Sequence, residues 1–173
     1  MNKRYIGMDV GVLGGFAEIS DDEVVVAPMP AIGTELSLLG IKEWLFSRLA
    51  LCRPDKMIIG IEDVHAIYGS SAGATFQFGE AKMALKMAAV MAGIPYTLIE
   101  PKTWQKVFFE GVPVIKKPGK KGKDVNDTKK MARMAAERLF PHVSLLATER
   151  SSVPHSGIID ALGIAYYLKT QNL

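Results

Sequence analysis

Tyr5-Ile6-Gly7-Met8-Asp9 and Met57-Ile58-Ile59-Gly60-Ile61-Glu62 are two apolar runs that each end on a carboxylate. The second shows no alternation of polar and apolar positions, as expected of a central strand covered on both faces. A carboxylate directly after such a strand lies at its end, where the active sites of α/β folds collect. A third acid, Asp160, opens the small-residue helix Asp160-Ala161-Leu162-Gly163-Ile164-Ala165. Burying several unpaired charges is expensive. A hard cation such as Mg²⁺, which prefers oxygen ligands, removes that expense by drawing the carboxylates together. The three acids therefore point to metal-assisted chemistry on phosphate oxygens.

Outward from these runs, the chain reads as an ordered series of elements. Strands are expected at about 4–10, 14–20 and 23–27, with Asp21-Asp22 as a turn signal that makes the three antiparallel neighbours. Leu36, Leu39, Trp44, Leu45, Leu49 and Cys52 carry a helical period over about 35–52, broken by Arg53-Pro54-Asp55. The strand at 56–62 follows. A loop at Val64–Ser71 leads to a long helix at about 72–93, closed by Gly93 and Pro95. A short strand at 95–99 precedes a helix from Pro101 to about Phe109, since proline is well accepted at the first helical position. After a Gly/Pro/Lys loop at about 111–125, a helix runs from about Asn126 to Phe140, capped by Asn126 or Asp127. The last helix spans about Gly157 to Lys169. No repeat or linker is visible, so residues 1–173 read as one domain with a basic surface insertion.

Composition sets bounds on function. With 173 residues and a hydrophobic fraction of 49%, the chain can bury a core of two or three layers. The net charge of +3 is uninformative, but its distribution is not. Lys116, Lys117, Lys120, Lys121, Lys123, Lys129, Lys130 and Arg133 crowd one stretch opposed only by Asp124 and Asp127. That local field attracts a polyanion; its plain alternative is a solvated lysine loop. The single cysteine, Cys52, excludes an internal disulfide and a cysteine zinc site and fits a reducing cytoplasm. The N-terminus lacks the apolar stretch of a signal peptide, and no segment is long enough to span a bilayer.

The order of three strands, helix, strand, helix, strand and helices is that of the ribonuclease H-like fold, an α/β architecture with a mixed five-stranded sheet and helices on both faces. Ile6-Gly7-Met8-Asp9-Val10-Gly11 resembles the first-strand motif of the RuvC-type Holliday junction resolvases, and Ile59-Gly60-Ile61-Glu62 their second acidic motif. Ala72–Ala81 is similar to the start of their long helix. Gly93-Ile94-Pro95 and Glu100–Lys106 look like the strand and short helix that follow, and Asp160–Ala165 like the C-terminal acidic motif. The resemblance spans nearly the whole chain. The lysine loop and Leu139-Phe140-Pro141 look most like the phage-borne branch.

That resemblance implies a metal-dependent endonuclease, usually a homodimer, that cleaves Holliday junctions and other branched DNA during recombination and repair in a bacterial or phage-infected cell. Two Mg²⁺ ions, with Mn²⁺ able to substitute, would activate a water and stabilise the leaving oxygen. Asp9, Glu62 and Asp160 carry over as metal ligands, and Lys129 as the lysine near the scissile phosphate. The fourth family ligand, three or four residues before the last acid, is absent, because Gly157 and Ser156 occupy those positions. His155 reaches the site only if the helix begins after it; its alternative is a structural role. Asp63 should face away. Lys102 and Lys106 would touch the DNA backbone, and the loop lysines would add salt-sensitive affinity. His65 or Tyr68, in the loop after Glu62, would stack on a base at the branch point or else pack on a neighbouring helix. Met83, Met87 and Met91 lie on one stripe of the long helix, read as core by default and as a dimer interface by resemblance.

Three rivals remain. An actin-like ATPase needs a second domain and an adenosine-binding motif that this chain lacks. A nuclease of the same fold could act on RNA. A branched-DNA-binding protein with a degenerate metal site is the non-enzymatic alternative.

Overall fold

A computed structural model describes residues 3–64, 71–119 and 122–173. The chain opens with β1 (Arg4–Asp9), β2 (Gly15–Ile19) and β3 (Val24–Pro28), followed by the short strands β4 (Ala31–Ile32) and β5 (Glu35–Leu36). β6 (Met57–Glu62) and β7 (Tyr96–Ile99) come later and complete the main sheet, whose order is β3-β2-β1-β6-β7. The first three strands are antiparallel neighbours, with Tyr5 opposite Ile19 and Asp9 opposite Gly15. β6 lies parallel to β1, with Met8 opposite Ile61, and β7 is parallel to β6. The expected mixed sheet, including the adjacency of the two acid-terminated strands, is therefore present.

Helices cover both faces. α1 (Leu38–Leu49) and α2 (Ala72–Met91) close one side over Ile6, Met8, Phe16, Ile59 and Ile61. α3 (Pro101–Phe108), α4 (Thr128–Leu139) and α5 (Ser156–Gln171) close the other over Tyr5, Ala17, Ile19 and Ile99. Strand alternation assigns each residue its side. In β1, Ile6 and Met8 face α1 and α2, which turns Gly7 and Asp9 toward α5. In β6, Ile59 and Ile61 do the same, which turns Gly60 and Glu62 toward α5.

The pairing of a glycine with an acid two residues later is what positions α5. A Cβ at Gly7 would lie 2.0 Å from the carbonyl oxygen of Ala161, and one at Gly60 would lie 2.8 Å from Ile164. At the entry of α5, a Cβ on Gly157 would lie 2.3 Å from the Leu13 carbonyl. With hydrogen at these positions the helix backbone rests directly on the sheet. Asp160, one residue before Ala161, is thereby lowered to the strand ends that carry Asp9 and Glu62.

Three local expectations are corrected. The helix read over 35–52 begins only at Leu38, capped by Ser37; before it, β4 and β5 form a small hairpin. The basic loop read over 111–125 contains a second hairpin, β8 (Lys116–Pro118) with β9 (Asp124–Asn126). Met83, Met87 and Met91, taken by default as core, are 55%, 48% and 73% exposed. α2 buries Ala81, Leu85 and Ala89 instead, on a different face from the methionines. Cys52 is buried, as expected of a core filler. Among the described residues no helix is long and apolar enough to cross a membrane.

Candidate active site at the ends of the central strands

Asp9 and Glu62 end the parallel neighbours β1 and β6, and their side chains share a hydrogen bond. That contact raises the proton affinity of Asp9 and lowers that of Glu62. Burial first, then the charges of Glu62 and Asp160, hold Asp9 well above the ordinary carboxylate range. Burial also raises Glu62, and hydrogen bonds from Trp104 and with Asp9 offset part of the rise. Asp160, reaching down from α5, is pushed up to about 7 by burial and by Glu62, with Lys129 pulling it back. The three predicted acids and Lys129 thus form one interacting group.

Glu62 raises the proton affinity of both Asp9 and Asp160, so these hard oxygen donors lie within electrostatic reach of one another, an arrangement that suits a divalent cation. Among the described residues no three acid, histidine or cysteine side chains stand ready-made as a metal cage. Mg²⁺ does not require one, because it commonly binds through one or two carboxylates and completes its shell with water and substrate phosphate.

Trp104, which the sequence does not mark as a site residue, joins the acids. Its indole Nε1 donates to Glu62 Oε1 at 3.1 Å. The indole is buried between α3 and α5, where Gly163 makes room for it: a Cβ there would lie 2.6 Å from the ring. The signal available was an aromatic donor three residues into the helix after β7, which only the fold brings beside β6. Asp63 faces away, as expected, and forms an ion pair with Lys82 of α2.

His155 precedes α5 and caps it: its Nδ1 accepts the Ile158 N–H at 3.3 Å. Burial lowers its pKa. A neutral ring whose Nδ1 accepts carries its proton on Nε2, so binding a cation would cost the cap. Ser156, at the first turn of α5, lines the cleft together with Asp9 and Asp160.

Two clefts meet at Lys129, Ser156 and Asp160. The larger, about 820 Å³, has Asp9 and Asp160 in its lining and is walled by Leu13, Leu36, Leu38 and Phe78 with Gln77 and Glu80. The other, about 460 Å³, is basic, lined by Lys117, Lys129, Lys130 and Arg133. Lys102 and Lys106 are exposed on α3; Lys116 and Lys123 are exposed on the second hairpin. His65, Tyr68, Lys120 and Lys121 lie outside the described residues.

No family model and no curated protein matches the chain. Solved structures do. RuvC of T. thermophilus in complex with a Holliday junction substrate aligns at TM-score 0.57 and 15% identity, over 98% of this chain and 96% of that one. A second Thermus thermophilus RuvC structure aligns at TM-score 0.55 and 17% identity with the same coverage. The yeast mitochondrial Holliday junction resolvase Ydc2 aligns at TM-score 0.47 and 14% identity, over 95% of this chain and 77% of that one. The chain therefore has the ribonuclease H-like fold in the form found in RuvC.

Proposed function

We propose that this protein is a divalent-metal-dependent endonuclease that cleaves Holliday junctions and related branched DNA. The observation that carries the reading is the group of three interacting carboxylates from β1, β6 and α5, placed at the strand ends of a RuvC-like fold and continued by a basic cleft. Asp9, Glu62 and Asp160 would hold Mg²⁺, with Mn²⁺ as a substitute. Bound there, the cation would supply a Lewis acid and a water of lowered pKa.

The chain's own residues account for the remaining roles. Trp104, donating to Glu62 Oε1, would hold that carboxylate in the orientation a cation needs. Lys129, beside Asp160, neutralises charge that accumulates on the phosphate during in-line attack. Ser156, which lines the cleft with Asp9 and Asp160, would contribute through a water in place of the missing acid. Lys102, Lys106, Lys116, Lys117 and Lys123 contribute salt-sensitive contacts to the DNA backbone, with Lys120, Lys121 and Tyr68 assigned the same partner from sequence.

Two cuts in a four-way junction call for two copies related by symmetry. The exposed face of α2, with Phe76, Met83, Met87 and Val90, supports a homodimer through that helix. Exposed apolar patches of this kind mark interfaces.

The test is cleavage of a labelled four-way junction and a matched linear duplex with Mg²⁺, Mn²⁺ or EDTA, beside Asp9→Asn. Paired nicks confined to the junction, dependent on metal and absent in the variant, are expected. Junction binding without cutting under either metal would sink the enzyme and leave the binding protein. Cutting of structured RNA alone would move the substrate.

A further inference from the structure

Lys116–Pro118 and Asp124–Asn126, within the lysine-rich segment, form a two-stranded ribbon. β8 and β9 pair in register, Lys116 opposite Asn126, Lys117 opposite Val125 and Pro118 opposite Asp124. The same register extends at both ends, through Asp127 N–H to the Ile115 carbonyl at 2.7 Å and Gly119 N–H to the Lys123 carbonyl at 3.1 Å. Bonded and non-bonded pairs alternate in an antiparallel ladder. Lys117–Val125 is therefore a bonded pair and Pro118–Asp124 a non-bonded one, which is where a proline costs no hydrogen bond.

The base of the ribbon is fixed to the site. Asp127 caps α4 by accepting the Lys130 N–H at 3.3 Å and also pairs with Lys117 at 3.1 Å. Lys129, which faces Asp160, follows two residues later. The direction of the ribbon is thus set by the same residue that starts the helix bearing Lys129.

Among the described residues nothing covers the ribbon beyond its base: all six residues of β8 and β9 are exposed. A two-stranded hairpin without a packed face is marginal by itself. Its cations also lie on both faces. Adjacent strand residues point oppositely, so Lys116 is on one face, and Lys117 and Lys123, which share a register parity, are on the other. A flat anionic surface or a single strand would engage one face. A groove walled by phosphates on either side engages both, and the major groove of B-DNA, about 12 Å wide, admits a two-stranded ribbon.

We propose that the β8–β9 hairpin docks as a ribbon in the major groove of the duplex arm beside the cut, with Lys116 and Lys123 on opposite phosphate walls. This rests on the nuclease reading above and deepens it. The strand from Ile115 to Gly119 spans about 13 Å at the usual rise, so the ribbon covers about four base pairs at 3.4 Å each. It would fix the orientation of the arm as well as add affinity.

The test compares the wild type with Lys116→Gln, Lys123→Gln and Val125→Pro, measuring equilibrium binding in EDTA to a four-way junction, a linear duplex and a single strand. Val125→Pro keeps every lysine and removes one ladder bond. Each lysine variant should lower the slope of log K against log salt by about 0.9 on duplex-armed DNA. Val125→Pro should weaken junction binding several-fold and abolish protection of guanine N7, a major-groove atom, within the first turn from the branch. Wild-type binding by Val125→Pro would reduce the hairpin to mobile charge and overturn the proposal. So would equal losses on the single strand, or lysine variants that bind as the wild type does. If the wild type cuts junctions in those cases, the nuclease reading stands without the ribbon. A wild type that binds no DNA overturns both.

Discussion

Trp104 Nε1 donates to Glu62 Oε1 at 3.1 Å, the one hydrogen bond from α3 to the acidic group among the described residues. It ties a helix that carries none of the three acids to the orientation of one of them. Partners that orient a metal ligand are worth roughly 10–100-fold in metal affinity. Trp104→Phe retains most of the packing against Phe108 and Phe109 and deletes the donor. Its Mg²⁺ requirement should rise by about that factor. Its pH–rate profile should move to higher pH, because the indole lowers the pKa of Glu62. Calorimetric Mg²⁺ titration together with the pH–rate profile checks this; unchanged metal affinity would reduce Trp104 to a core residue.

Asp160 gives the metal-free protein an unusual pH dependence. Its folded pKa, about 7, lies far above the unfolded value. The folded state therefore binds the proton more tightly, and the stability it contributes is complete below the unfolded pKa and lost as pH rises through about 7. In EDTA the melting temperature should fall between pH 5 and pH 8. Asp160→Asn should flatten that fall, and Mg²⁺ should restore the wild type more at pH 8 than at pH 5. A melting temperature that rises over this range, with no effect of Asp160→Asn, would contradict the buried acidic group.

How much of this could be read beforehand follows from where each residue gets its role. Asp9 and Glu62 were legible because a strand's end is a local property: an apolar run stops on an acid. Gly7 and Gly60 were present in the same motifs, but their purpose is a helix lying more than ninety residues later in the chain. The β8–β9 ladder was hidden by composition, since Lys, Gly and Pro are all poor strand formers and the pairing comes from register and from Asp127 at the base. Periodicity located the stripe of Met83, Met87 and Met91 but could not say what lies against it; the sheet is covered by Ala81, Leu85 and Ala89 instead. His155 reads as a site residue only if the last helix begins after it; α5 does begin at Ser156, and a cap donated to a side-chain nitrogen is not visible in the sequence.

Glycine substitutions separate the close approach of α5 from ordinary helix effects. Gly7→Ala forces a Cβ into the Ala161 carbonyl, 2.0 Å away. The helix must lift, at about 1–3 kcal/mol or more, and Asp160 lifts with it. Both melting temperature and cleavage should drop. Gly79→Ala is the control, since nothing lies within 4 Å of a Cβ there. On an exposed helix that change should stabilise by up to about 1 kcal/mol and leave cleavage intact. Equal behaviour of the two variants in thermal melts and junction assays would mean that the glycine at position 7 does not set the height of α5 above the sheet.

If the exposed face of α2 is the interface between two copies, assembly sets the number of cuts. Met83 and Met87 lie one turn apart and about half exposed, with Val90 and Phe76 continuing the stripe. Placing charge on a surface that a second copy buries costs several kcal/mol, whereas on a free surface it costs within about 0.5 kcal/mol. Met83→Glu with Met87→Glu should therefore leave the melting temperature of the isolated chain nearly unchanged while converting a dimer to monomers in sedimentation experiments. The monomer should nick one strand of a junction and fail to make the paired second cut on the opposite strand. A variant that stays dimeric, or a wild type that sediments as a monomer and still makes both cuts in one binding event, would place the interface elsewhere.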